Sequence, residues 1–111
     1  MRAKLRKLET RNDLILMVNG RQMVHSFEFY KATGLKMTNY TRWLRETALD
    51  IGEFRKDYIP APENVAGRTL RFRLRYYFDI EFAIALCLVV RRRESLELKD
   101  YLFENMIKKH K

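Results

Sequence analysis

The chain has a single cysteine, Cys87, and that scarcity closes off two classes of protein at once. No internal disulfide can form, and no second thiol exists for a Cys-x-x-Cys metal or redox motif, so a reducing compartment, the cytoplasm, is the expected location. Histidine is almost as rare. His25 and His110 lie far apart, and no set of His, Cys, Asp and Glu has metal-ligand spacing. Glycine-rich loops of the phosphate-binding type are missing too, because Gly20, Gly34, Gly52 and Gly67 each stand alone. Cys87 itself lies inside an apolar run, where an inert buried thiol outweighs a nucleophile. With no nucleophile and base, no functional carboxylate pair and no metal set, the sequence predicts no enzyme, no cofactor, and no catalytic or metal-binding residue.

Long apolar runs are also lacking. The longest charge-free one, Phe82 to Val90, has nine residues, against about 20 for a bilayer-spanning helix. Leu14 to Val18, after a charged start, is too short for the apolar region of a secretory signal. No membrane partner is expected.

What the chain does have is enough apolar material for one core and a large excess of positive charge. At 111 residues and 47% hydrophobic content it suits a single compact domain. Its formal charge of +9 directs it towards polyanions, nucleic acid before anionic membrane.

Residues 1–13 form a basic arm, with Arg2, Lys4, Arg6, Lys7 and Arg11 against Glu9 and Asp13; residues 14–111 read as the domain. Leu14 to Val18, Asn19-Gly20 and Arg21 to Val24 predict a β-hairpin, because Asn-Gly accepts the positive φ of a type I′ turn. Ser26 is placed to cap a short helix that stops at Gly34. A second helix is predicted over 38–50, with Tyr40, Trp43, Leu44 and Thr47 as its buried stripe. Two short helices around a tight turn resemble a helix-turn-helix unit, although an αα-hairpin inside any α+β core has the same pattern.

A short strand over Asp57 to Ala61 is stopped by Pro60 and Pro62. From Arg68 to Phe78, Leu70, Phe72, Leu74 and Tyr76 alternate with Arg71, Arg73 and Arg75, which predicts a strand over 68–77 with one core face and one guanidinium face. These two strands make a wing-like second hairpin. Asp79 then caps a central helix from Ile80 to Arg91, apolar almost all round. A last amphipathic helix puts Leu98, Tyr101, Leu102 and Met106 on one face. The fold class expected is α+β: short helices with two β-hairpins, helix-turn-helix or winged-helix-like.

Charge is distributed unevenly along this order. Residues 66–93 hold seven basic and two acidic side chains, and residues 36–65 balance at five and five. The second helix nevertheless offers Lys36, Thr38, Asn39, Arg42 and Arg45 on its polar side, types able to bond base edges in a major groove. Arg68, Arg71, Arg73 and Arg75 are the candidates for phosphates. Each group has a plain alternative: solvent-facing helix residues, a solvated strand face or a protein interface. Arg91, Arg92 and Arg93 read first as a cluster satisfying helix C-terminal carbonyls. The aromatic residues read as core before they read as a base-stacking platform, with Tyr77 the one kept as a contact candidate.

Several motifs in fixed order resemble the AntA/AntB phage antirepressor N-terminal domain family. They are Val18-Asn19 and Arg21, Tyr40-Thr41-Arg42-Trp43-Leu44, Asp57-Tyr58 after Gly52-Glu53-Phe54, Gly67-Arg68, the run Tyr76 to Ala83, and Tyr101-Leu102-Phe103. The similarity covers about residues 18–106. It departs from the family at Ala83-Ile84, where Ala-Lys is common, and at Glu94 to Glu97, where a Gly-Lys linker is common. The resemblance implies a prophage or mobile-element regulator that relieves repression through a DNA-binding module. Double-stranded DNA is thus the expected partner, and the alternative is a protein-interaction module that inactivates a repressor without touching DNA. A homodimer through the Arg68 strand edge or the last helix is a third arrangement, and like charges oppose the strand-edge form.

Overall fold

The computed structural model describes residues 14–62 and 74–106. The basic arm 1–13, the loop and wing residues 63–73 with Arg68, Arg71 and Arg73, and the terminal lysines after residue 106 lie outside the described residues.

Strands β1 (Ile15–Val18) and β2 (Arg21–His25) form the first hairpin, in register from Val18↔Arg21 to Ile15↔Val24. Asn19 and Gly20 take φ of 53° and 80°, the paired positive values of a two-residue type I′ turn. Helix α1 (Ser26–Thr33) follows directly and ends at Gly34, whose φ of 81° supplies the left-handed stop. The expected cap at Ser26 is not made. Ser26 is the first helical residue, the preceding His25 makes no side-chain cap bond, and the Ser26 hydroxyl is fully buried. It bonds groups distant in sequence rather than the backbone of its own helix.

The second helix forms, with internal irregularity. A 3-10 turn (Met37–Asn39), an α-turn (Tyr40–Trp43), a π-turn (Leu44–Ala48) and a last α-turn (Leu49–Ile51) succeed one another, and residues 37–51 are called α2 here. Its buried stripe is Tyr40, Leu44 and Ala48, while Trp43 and Thr47 are half-buried. The expected stripe moves because a π-turn holds one residue more than an α-turn.

Strands β3 (Tyr58–Pro60) and β4 (Tyr76–Asp79) pair antiparallel, Tyr58 opposite Phe78 and Pro60 opposite Tyr76. The second hairpin pairing is therefore present; residues 68–73 of the expected 68–77 strand lie outside the described residues, and the remainder is corrected in position. Among the described residues the strand starts at Tyr76 and runs to Asp79. It is interior as well, since the sheet order is β1-β2-β4-β3, all antiparallel, and β4 also pairs with β2 through Val24↔Phe78. The cause is compositional. The arginine alternation ends at Arg75, and Tyr76-Tyr77-Phe78 is an aromatic run of high strand propensity.

Helix α3 (Ile80–Val90) is capped as expected, with the Asp79 carboxylate accepting the Glu81 N–H at 3.1 Å. Ile80, Phe82, Ala83, Leu86 and Cys87 are buried, but Leu88 and Val89 are 51% and 49% exposed, so α3 is a core helix with one open side. Helix α4 (Arg93–Asn105) packs on α3, burying Leu98 and Leu102 completely with Tyr101 and Met106 half-buried beside them. The whole is a small α+β domain whose core joins α1, α2, β4 and α3 through Phe29, Leu44, Phe78 and Leu86. Among the described residues no helix is long and apolar enough to cross a membrane.

Candidate nucleic-acid interface

Lys36, Thr38, Asn39, Arg42 and Arg45 are all exposed, so the structure brings the five expected groove-facing residues to one surface segment. Their carrier is held from below. α1 and α2 interlock through Phe29 stacked on Trp43 (centroids 6.0 Å apart), Tyr30 against Trp43 (5.0 Å), Tyr30 edge-on to Tyr40 (5.3 Å) and Phe27 edge-on to Tyr40 (5.3 Å). The three-residue connection Gly34 to Lys36 is pinned as well. The Tyr30 hydroxyl donates to the Lys36 carbonyl at 2.8 Å, and the Gly34 N–H donates to the Lys31 carbonyl at 3.2 Å. Burial raises the Tyr30 pKa, which keeps that donor protonated. Such a helix presents its polar side chains from a fixed base, while Glu46 and Asp50, also exposed, make its second half less attractive to phosphate.

The described residues on either side of 63–73 are held in place. On one side the Ala61 N–H donates to the Arg75 carbonyl at 3.1 Å. On the other, the Tyr40 hydroxyl donates to the Leu74 carbonyl at 2.8 Å, and the Tyr76 N–H donates to Ser26 Oγ at 3.0 Å. Leu74 thus lies beside Tyr40, at the start of α2. Arg75 is not a free guanidinium on a solvated strand face. It is half-buried, with Cζ 4.0 Å from the Phe27 ring centroid and 5.1 Å from that of Tyr40, and it donates to the Leu74 carbonyl at 3.0 Å. Tyr77 is half-buried in β4, edge-on to His25 at 5.9 Å.

Twelve basic and eleven acidic side chains lie within 14–62 and 74–106, so eight of the nine net positive charges belong to 1–13, 63–73 and 107–111. The described residues are close to neutral, and most of the polyanion-attracting charge lies in the sequence outside them.

One basic cluster acquires a place that its sequence position did not suggest. Arg92 Nε donates to the Thr33 carbonyl at 3.2 Å, which ties the α3–α4 corner to the end of α1. The Arg-Arg-Arg run was visible in the sequence, but a contact spanning 59 residues was not.

Burial pushes the Cys87 thiol up to about 12, which keeps it protonated and unreactive. Among the described residues no group of His, Cys, Asp or Glu converges as metal ligands would. No protein-family model matches the chain, and neither a curated relative nor a solved structure matches it.

Proposed function

We propose that this chain is a transcriptional regulator of phage or mobile-element origin, antirepressor-like, that binds duplex DNA in the cytoplasm. The observation that carries the reading is the common exposure of Lys36, Thr38, Asn39, Arg42 and Arg45 on a helix locked to its neighbour across a three-residue turn. In this reading Asn39 and Arg42 meet base edges in the major groove, Asn suited to adenine and Arg to guanine, with Thr38 beside them. Lys36 and Arg45 flank the groove, and Arg68, Arg71 and Arg73 track phosphates. Arg75 is packed against Phe27 and Tyr40. The motif resemblance over 18–106 supports the regulatory role.

The test is a duplex titration at several salt concentrations. About six phosphate contacts give a log-log slope near −5. A slope near zero, or no duplex binding at 50 mM salt, overturns the proposal.

A second reading is favoured by one observation, the exposure of Leu88, Val89, Leu96 and Phe103 on α3 and α4. There the chain docks on a repressor and inactivates it without touching DNA. Salt-resistant association with a repressor, together with no duplex shift, is its signature.

A further inference from the structure

The corner between α3 and α4 carries three consecutive arginines that the groove reading does not use. Arg91, Arg92 and Arg93 are all exposed, but they do different things. Arg92 is the anchor. Its Nε donates to the Thr33 carbonyl at 3.2 Å, its Nη2 lies 3.5 Å from Glu94 Oε1, and its backbone N–H donates to Ser95 Oγ at 2.9 Å. The fit against the helix-turn-helix connection is close, since a Cβ placed on Gly34 would lie 3.2 Å from Glu94 Cδ and 3.4 Å from Arg92 Nη2. Arg91 and Arg93, on either side of this anchor, make no side-chain hydrogen bond or ion pair with the described residues.

Fold stability does not account for both. Arg91 takes φ of 58°, a left-handed conformation at the end of α3 where glycine is the unstrained choice. Its charge does complement the C-terminus of α3. Arg93, however, is the first residue of α4, and a cation there opposes the positive end of the helix dipole. The sequence thus keeps two arginines at positions where stability alone would favour glycine and an acid. Lys36, the first groove-side residue, is three residues beyond Thr33, within about 11 Å of chain. The corner, tied to Thr33, and the start of α2 are therefore neighbouring parts of the fold.

We infer that Arg91 and Arg93 form a second phosphate clamp, which grips the DNA backbone next to the N-terminal end of α2 while Arg92 holds the corner against the turn. This rests on the duplex-binding reading and extends it to residues outside the groove helix and the 63–73 segment. Contacts of this kind position a protein without reading sequence, so losing them weakens binding to every duplex alike.

The test is Arg91→Gly with Arg93→Gln in the full chain, measured for thermal stability and for duplex binding across a salt series. A control pair with the same charge change, Arg55→Gln with Lys56→Gln at the turn before β3, is measured alongside. The clamp predicts that Arg91→Gly alone raises the melting temperature while weakening binding. The double variant should lose at least about tenfold in affinity at 50 mM salt and bring the log-log slope about 2 closer to zero, with the control pair close to wild type. Wild-type slope and affinity in the double variant overturn the clamp and leave the groove reading standing, as does an equal loss in the control pair. Failure of the wild-type chain to bind any duplex overturns both.

Discussion

Ser26 and Tyr40 meet hydroxyl to hydroxyl at 2.7 Å in the interior of the protein. The Tyr40 proton is committed to the Leu74 carbonyl, so Ser26 is the donor to Tyr40, and Ser26 Oγ in turn accepts the Tyr76 N–H. One relay thereby fixes α1, α2 and the chain entering β4. Tyr40→Phe leaves the Ser26 hydroxyl and the Leu74 carbonyl without their partner, an expected loss of about 1–3 kcal/mol. Ser26→Ala should cost a similar amount. In a double-mutant cycle followed by urea unfolding, the two losses should fall short of adding by about 1 kcal/mol or more; additive losses would show that the relay is not a unit.

Arg75 and Arg42 are expected to separate cleanly. Arg75→Gln removes a guanidinium lying 4.0 Å over Phe27, at an expected stability cost of about 1 kcal/mol, with the salt slope of duplex binding unchanged. Arg42→Gln, at an exposed helix position, should stay within about 0.5 kcal/mol of wild-type stability and lose about 1–3 kcal/mol of discrimination at one base pair. Chemical denaturation paired with binding to single-substituted duplexes checks both. The opposite pattern would make Arg75 the contact and Arg42 the structural residue.

Gly52 is set by space rather than by backbone conformation. Its φ is an ordinary −82°, but a Cβ there would come within 2.6 Å of Phe82 Cζ. Gly52→Ala should therefore destabilise by about 1–3 kcal/mol through forced displacement of the ring. Phe82→Leu in the same chain should recover part of that loss, which unfolding midpoints will show.

The Cys87 thiol makes stability fall in alkali. Its pKa is about 12 in the folded protein against an ordinary 9.0. Below pH 9 both states keep the proton and stability is unaffected. Between pH 9 and 12 the unfolded chain releases the proton and the folded chain does not, so stability drops by up to about 1.4 kcal/mol per pH unit. Burial raises Tyr30 and Tyr76 in the same direction, which steepens the fall above pH 10. Cys87→Ala should flatten the curve between pH 9 and 10, and the native thiol should react with a disulfide reagent only as fast as the protein opens. Fast labelling of folded protein at pH 8 would contradict the burial.

Local signals were legible. Asn19-Gly20, the Gly34 stop and the Asp79 cap each act within a few residues of chain, and each appears where the pattern placed it. The exposure of Asn39 and Arg42 was legible for the same reason, since helix periodicity separates them from Tyr40 and Leu44. What the pattern missed depends on distant partners. Ser26 resembled a cap, but its hydroxyl is claimed by Tyr40 and Tyr76. Arg75 alternated like an outward strand residue, but Phe27 is there to receive it. Arg91 to Arg93 read as a helix end, and α3 does end at Arg91; what nothing in the sequence announces is the contact of Arg92 with Thr33.

The π-turn at Leu44–Ala48, where the Leu49 N–H reaches back to the Leu44 carbonyl, is a joint in α2 that holds one residue more than an α-turn. Five residues at the smaller rotation of a π-turn cover nearly the same angle as four at the α-helix's about 100° each, so deleting one residue here would restore a regular helix and leave both halves aimed almost as before. Asn39 and Arg42 would stay on the exposed side, and Gly52 would stay close to Phe82. The extra residue is thus an insertion the helix has absorbed. A one-residue deletion is accordingly tolerable at this joint, whereas elsewhere along α2 it would swing everything after it by about 100°.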